Sequence, residues 1–152
     1  MTQNEQFIAV ARGWIGTRFR HQGRVKKSAA GQGGCDCIGL VIGVADEAGL
    51  THNGRKFSEY DIKDYAKTPD GDKLKAAFCE YLREIPVSQM QAGDVAMFRF
   101  NKNPQHVGII SNLNNNFGII HCYMQARGVV EHLLDQHWRE RIVAVFRFKN
   151  EL

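Results

Sequence analysis

Cys37 follows Asp36 directly, behind a glycine-rich stretch from Gly31 to Gly34 and ahead of the apolar run Ile38-Gly39-Leu40-Val41. A thiol is a strong nucleophile as the thiolate, or when a base takes its proton during attack. The start of a helix favours that chemistry, because its first N–H groups lack partners and the helix dipole is positive there. The Cys37 N–H is also a natural donor to an oxyanion. Further along, Gln105-His106-Val107-Gly108-Ile109-Ile110 and Ile119-Ile120-His121 supply two histidines in apolar, strand-like surroundings. If Val107 and Ile109 face the core, His106 shares the opposite face with Gly108 and Ile110, and Gly108 leaves room for a packed helix or a substrate. His106 is then the candidate base that takes the thiol proton and later gives it to a leaving amine. His121 is the candidate third group that orients the base, with Asn112 a weaker one. Asp36 and His21, the latter in Phe19-Arg20-His21-Gln22-Gly23, are candidates to contact substrate or oxyanion.

The remaining histidines and cysteines read differently. Cys122 is expected in the core, and Cys35 as an exposed bystander. His132 reads as a surface residue of the strand that holds Val130, and His52 and His137 have no chemical context. Trp14 and Trp138 read as packing residues, with Trp138 able to border a cleft. Zinc is a competing use of thiols and imidazoles. Cys35-Asp36-Cys37 lacks the usual two-residue gap, however, and no second close pair completes a structural site. No metal or organic cofactor is expected.

Positioning these groups requires a helix on Cys37 and a sheet on the histidines. A helical stripe over residues 5–15 (Phe7, Ile8, Ala11, Trp14, Ile15) predicts an N-terminal helix that Gly16 ends. Residues 17–34 read as a loop leading to Cys37. Cys37 to Ala48 predicts a helix capped by Asp36 and ended by Gly49, whose Gly39 and Gly43 permit close packing. Residues 51–71 read as a long polar loop with room for a short helix. Asp72 to Leu82 predicts a helix with Leu74, Phe78, Tyr81 and Leu82 on one face. Strands follow: an alternating one over Val95–Phe100, then 107–111, Phe117–Met124 after an Asn-rich turn, Val129–Glu131, and Ile142–Phe148. Residues 133–139 read as a short helix or loop. Helices followed by antiparallel strands make an α+β fold, with helices packed on one side of a central sheet.

Size and charge bound the rest. A chain of 152 residues with 20 Lys and Arg against 16 Asp and Glu, net charge +4, fits one domain over 1–152. The basic residues are scattered, which argues against a nucleic-acid partner. No apolar run is long enough to span a membrane. Its four cysteines lack the spacing of a disulfide scaffold. The N-terminus lacks the pattern of a secretory signal, so synthesis in a reducing cytoplasm is expected.

The segments above resemble a known family. Asp36-Cys37-Ile38-Gly39-Leu40-Val41 is similar to the nucleophile motif of the NlpC-type cell-wall cysteine peptidases, with Ile38 where they usually carry Ser. His106-Val107-Gly108-Ile109 resembles their base motif, and Ile120-His121 the segment with their third catalytic residue. Ala11 to Phe19 resembles their opening helix and turn, and Ala92-Gly93-Asp94-Val95 the strand before the base. Arg20-His21-Gln22, Cys35-Asp36-Cys37, Ala126 to Glu131 and Arg141 to Phe148 resemble the subgroup found in phage tail and gene transfer particle clusters. The resemblance implies a papain-like fold and cleavage of peptide stems in peptidoglycan, commonly at the γ-D-glutamyl–diaminopimelate bond. It implies Cys37 as nucleophile, His106 as base and acid, and His121 as orienting group, with the thiolate–imidazolium pair present at rest or formed on binding. Phe19 or His21 stands where the family often has a site tyrosine. Implied partners are stem peptides and phage tail proteins, with delivery by a particle or by lysis. A thiol amidase or acyltransferase on the same fold, and a structural tail component, are the alternatives.

Overall fold

The computed structural model describes residues 2–60, 71–100 and 103–149. In chain order it contains α1 (Gln3–Arg12), β1 (Arg24–Val25), β2 (Gly34–Cys35), α2 (Cys37–Glu47), β3 (Thr51–His52), β4 (Arg55–Lys56), α3 (Gly71–Tyr81), β5 (Arg83–Ile85), β6 (Val95–Phe100), β7 (Asn103–Leu113), β8 (Asn116–Tyr123), β9 (Gly128–Leu133), α4 (Gln136–Arg139) and β10 (Ile142–Arg147). Short 3₁₀ turns lie at Phe57–Tyr60, Val87–Gln89 and Met124–Ala126.

α1 begins two residues before the predicted stripe because Thr2 and Glu5 form a reciprocal capping box. The predicted loop over 51–71 contains the β3–β4 ribbon, and the part at 61–70 lies outside the described residues. The large sheet is antiparallel, in the order β5-β10-β6-β7-β8-β9. β7 and β8 are joined by Asn114 and Asn115, both at positive φ (50° and 65°), which is what a two-residue hairpin turn matching the strand twist demands.

One face of the sheet packs on α1, α2 and α3 through Val95, Met97, Val107, Ile109, Ile120, Cys122, Ala144 and Phe146. The expectation of helices on one side only is corrected. The opposite face is covered by Leu134 and by Trp138 of α4, which meet Ala96, Phe98, Ile110 and Ile119. A sheet buried on both faces does not alternate in polarity. Hence Val95 to Phe98 is buried at every position rather than at every second one. A part-buried ion pair joins the neighbouring strands β10 and β6: Arg147 Nε donates to Asp94 Oδ1 at 2.8 Å and Nη2 to Oδ2 at 3.0 Å.

Candidate active site

Cys37 is the first residue of α2. Asp36 caps that helix, its Oδ1 accepting the Gly39 N–H at 2.8 Å. The same carboxylate accepts the Gln22 N–H at 2.9 Å and pairs with Arg24 at 3.1 Å. Asp36 is therefore a buried structural anion with its oxygens engaged beside the thiol. Gly39 permits this arrangement. A Cβ there would lie 2.1 Å from the Gly23 carbonyl oxygen, so only glycine lets the first turn of α2 rest on that loop. The loop is pinned further by Arg20 N–H to Cys35 O at 2.9 Å and Cys35 N–H to Arg18 O at 2.9 Å. His21, half-buried, sits in this pinned segment. Phe19 is half-buried and packs against the helix-side core.

Two cysteine expectations separate here. Cys122 is in the core, its thiol donating to the Cys35 carbonyl at 3.1 Å. Cys35 is not exposed: it is 0% accessible, because Phe19 bridges to it and the loop closes over it. The exposed cysteine is Cys79.

His106 and Ile110 lie on the face opposite Val107 and Ile109, as their alternation requires. Paired strand positions run from Leu113↔Asn116 to Ile109↔Ile120. The backbone of Val107, the residue after His106, helps to lower the Cys37 thiol pKa. Gly108 serves the neighbouring strand, not a helix or substrate. A Cβ there would meet Ile119 at 2.8 Å and the His121 Cβ at 3.1 Å, so its absence admits His121. His106 Nε2 lies 2.8 Å from His121 Nδ1. With Nε2 so engaged, Nδ1 is the ring nitrogen His106 can offer a thiol. Among the described residues, no hydrogen bond joins the Cys37 thiol to His106 directly.

His132 was expected at the surface and is instead part of the site. His121 Nε2 lies 2.9 Å from His132 Nε2, and His132 Nδ1 lies 2.8 Å from the Leu133 carbonyl oxygen. The signal was in the short turn at Met124–Arg127. It pairs Tyr123 with Gly128, hence His121 with Val130 and Ile119 with His132. That register puts His121 and His132 on one face as diagonal neighbours. Tyr123 stacks on His121 at 4.5 Å between centroids, and Trp138 meets it edge-on at 4.7 Å. Trp138 thus packs on the histidines themselves rather than only bordering a cleft.

Burial controls the electrostatics. It pushes the Cys37 thiol up to about 12, helped by the Asp36 charge and opposed by the N–H groups of Val107, Ile38 and Cys37 itself. Burial also pulls His106 down to about 4. His121 falls to about 2 through burial and then the neighbouring charges of His106 and His132. Both shifts favour the uncharged forms, a thiol at Cys37 and a neutral imidazole at His106. Among the described residues no three His, Cys, Asp or Glu side chains form a metal-holding group, and no helix is long and apolar enough to cross a membrane.

A profile of the NlpC/P60 family matches residues 16–147. The fold is similar to the NlpC/p60 domain of the peptidoglycan hydrolase SagA, at TM-score 0.58 and 19% identity over 95% of this chain and 98% of that one. It is similar to the P60 domain of the antigen MAP1204 from M. avium subspecies paratuberculosis, at 0.58 and 18% over 99% and 96%. An N-acetylmuramoyl-L-alanine amidase from Bacteroides uniformis gives 0.60 and 14% over 97% and 99%. No curated protein matches the sequence. The architecture is the papain-like α+β fold of these domains.

Proposed function

This chain belongs to the NlpC/P60 family, and from that premise we propose that it is a cysteine hydrolase of peptidoglycan stem peptides. The observation that carries the reading is the 2.8 Å pairing of His106 with His121, and Cys37 at a helix start supports it as the candidate nucleophile. Peptidoglycan as substrate is supported by the names of two similar proteins, a peptidoglycan hydrolase and an N-acetylmuramoyl-L-alanine amidase.

Substrate binding displaces water and aligns the amide carbonyl with Cys37. The sulfur attacks the carbonyl carbon while its proton passes to His106 Nδ1. The oxyanion takes the Cys37 N–H, a first-turn donor with no helical partner, and His21 is the candidate second donor. The C–N bond breaks as His106 gives its proton to the amine. Water then adds to the thioester carbonyl, His106 taking its proton, and the thiol reforms as the acid leaves. His121 holds the His106 ring during both proton transfers.

The bond we assign is γ-D-glutamyl–diaminopimelate. That assignment rests on the resemblance to the NlpC-type peptidases, and a role in a phage or prophage tail with tail proteins as partners rests on the resemblance of Arg20-His21-Gln22, Cys35-Asp36-Cys37, Ala126 to Glu131 and Arg141 to Phe148 to the tail-cluster subgroup. The test is mass spectrometry of purified muropeptides incubated under reducing conditions with the wild-type chain and with Cys37→Ala. Cleavage by wild type only, with fragments ending in D-glutamate, is the expected result. Fragments separated at the lactyl–alanine amide would make it an amidase instead, and an intact digest with both chains would remove the hydrolase reading.

A further inference from the structure

The contacts that end on the Leu133 carbonyl have a direction. A carbonyl oxygen accepts and does not donate, so the 2.8 Å contact places a proton on His132 Nδ1. In the neutral ring, Nε2 then carries a lone pair. The 2.9 Å contact therefore makes His121 Nε2 the donor and leaves His121 Nδ1 as the acceptor. By the same step, the 2.8 Å contact makes His106 Nε2 the donor. His106 Nδ1 is left bare.

We infer that His132 is a positioning residue: anchored on the Leu133 carbonyl, it sets the tautomers of His121 and His106 so that His106 Nδ1 can accept the Cys37 proton. The catalytic part of this inference rests on the hydrolase reading above. Without His132 the inner pair has two arrangements. In one, His121 Nε2 carries the proton as before. In the other, His121 Nδ1 donates to His106 Nε2, and His106 holds its proton on Nδ1, where it cannot serve as base. Ring position alone does not choose between them. The Tyr123 stack and the Trp138 edge fix the plane of His121 but are indifferent to which nitrogen is protonated. The choice falls to the group at His121 Nε2, which is His132.

Two substitutions separate the role from mere packing. In His132→Gln, the side-chain carbonyl can accept from His121 Nε2. In His132→Leu, nothing can. Long-range ¹H–¹⁵N correlation spectra of ¹⁵N-labelled protein read the protonated nitrogen of each ring. Expected are Nε2–H forms for His106 and His121 and an Nδ1–H form for His132 in wild type. The Gln variant keeps the first two, and the Leu variant gives mixed forms at His106. On muropeptides the Leu variant should lose kcat on the order of 10- to 100-fold at nearly constant KM, with Gln within about threefold of wild type. An Nδ1–H form of His106 in wild type, or unchanged tautomers in the Leu variant with its circular dichroism intact, overturns the inference. Because the spectra need no substrate, they decide it even if muropeptides prove not to be cleaved.

Discussion

The Asp36 carboxylate caps the helix that begins at Cys37 and at the same time raises the pKa of the Cys37 thiol. Structural and chemical demands on this one side chain are opposed, and substitution can separate them. Asparagine caps helices about as well as aspartate and carries no charge. Asp36→Asn should keep the helix cap, lose the Gln22 contact and the charge pair with Arg24, and lower the thiol pKa, giving faster alkylation of Cys37 at a fixed pH near 8. Asp36→Ala loses the cap, the Gln22 contact and the Arg24 pair. It should cost about 3–5 kcal/mol, as breaking a buried pair does. Equal alkylation rates in Asp36→Asn and wild type would show that the charge does not reach the sulfur.

A neutral resting thiol has its own kinetic signature. Peptide mass spectrometry after brief iodoacetamide treatment should find Cys79 modified first, since it is the exposed cysteine. Modification of Cys37 should keep rising with pH through 9 and beyond, because burial holds the thiol up to about 12. A rate plateau already reached below pH 7 would instead reveal a resting thiolate–imidazolium pair.

Stability should be greatest between about pH 6.5 and 9. His106 and His121 are held below their ordinary value of 6.5 in the folded chain. Below pH 6.5 the unfolded chain therefore takes up protons that the folded one refuses, and stability falls as pH drops. Each group contributes about 1.4 kcal/mol per pH unit. The thiol works on the other side: Cys37 is raised from 9.0, so its contribution is lost as pH rises above 9. Urea midpoints across pH 4.5–10 check this, and His106→Gln should make the acid limb shallower. A midpoint constant from pH 7 to 5 would contradict the burial of neutral histidines.

Gly39→Ala should destabilise the chain although alanine favours helix by about 1 kcal/mol. The added Cβ would meet backbone, the Gly23 carbonyl oxygen at 2.1 Å, and backbone cannot swing aside as a side chain can. A loss of about 1–3 kcal/mol in chemical denaturation is expected, with Gln22 and Arg24 pushed off Asp36. An unchanged midpoint would mean that the loop over α2 yields freely.

Local rules carried the sequence reading far. Asp36 before an apolar run announced a capped helix, and the parity of His106 against Val107 and Ile109 placed it on the correct face. The gaps share one physical cause, contacts made across long sequence distances. Cys35 is hidden by a bridge to Phe19 that no local pattern encodes. The second covered face of the sheet depends on Trp138 folding back over Phe98. His132 belongs to the site only through the register of β8 with β9, and a strand's register is fixed by its turn rather than by its own composition.

The Asn114-Asn115 turn has a similar hold over the chemistry. Two left-handed residues at the turn of the hairpin decide how β7 is counted against β8. One residue more in that turn, with β8 slipping by one, would exchange His121 for Cys122 on the face that meets His106. Surface loops elsewhere can drift in length between relatives at little cost. This one acts as a length gauge for the hairpin that brings His106 to His121, and insertions or deletions in it should be purged.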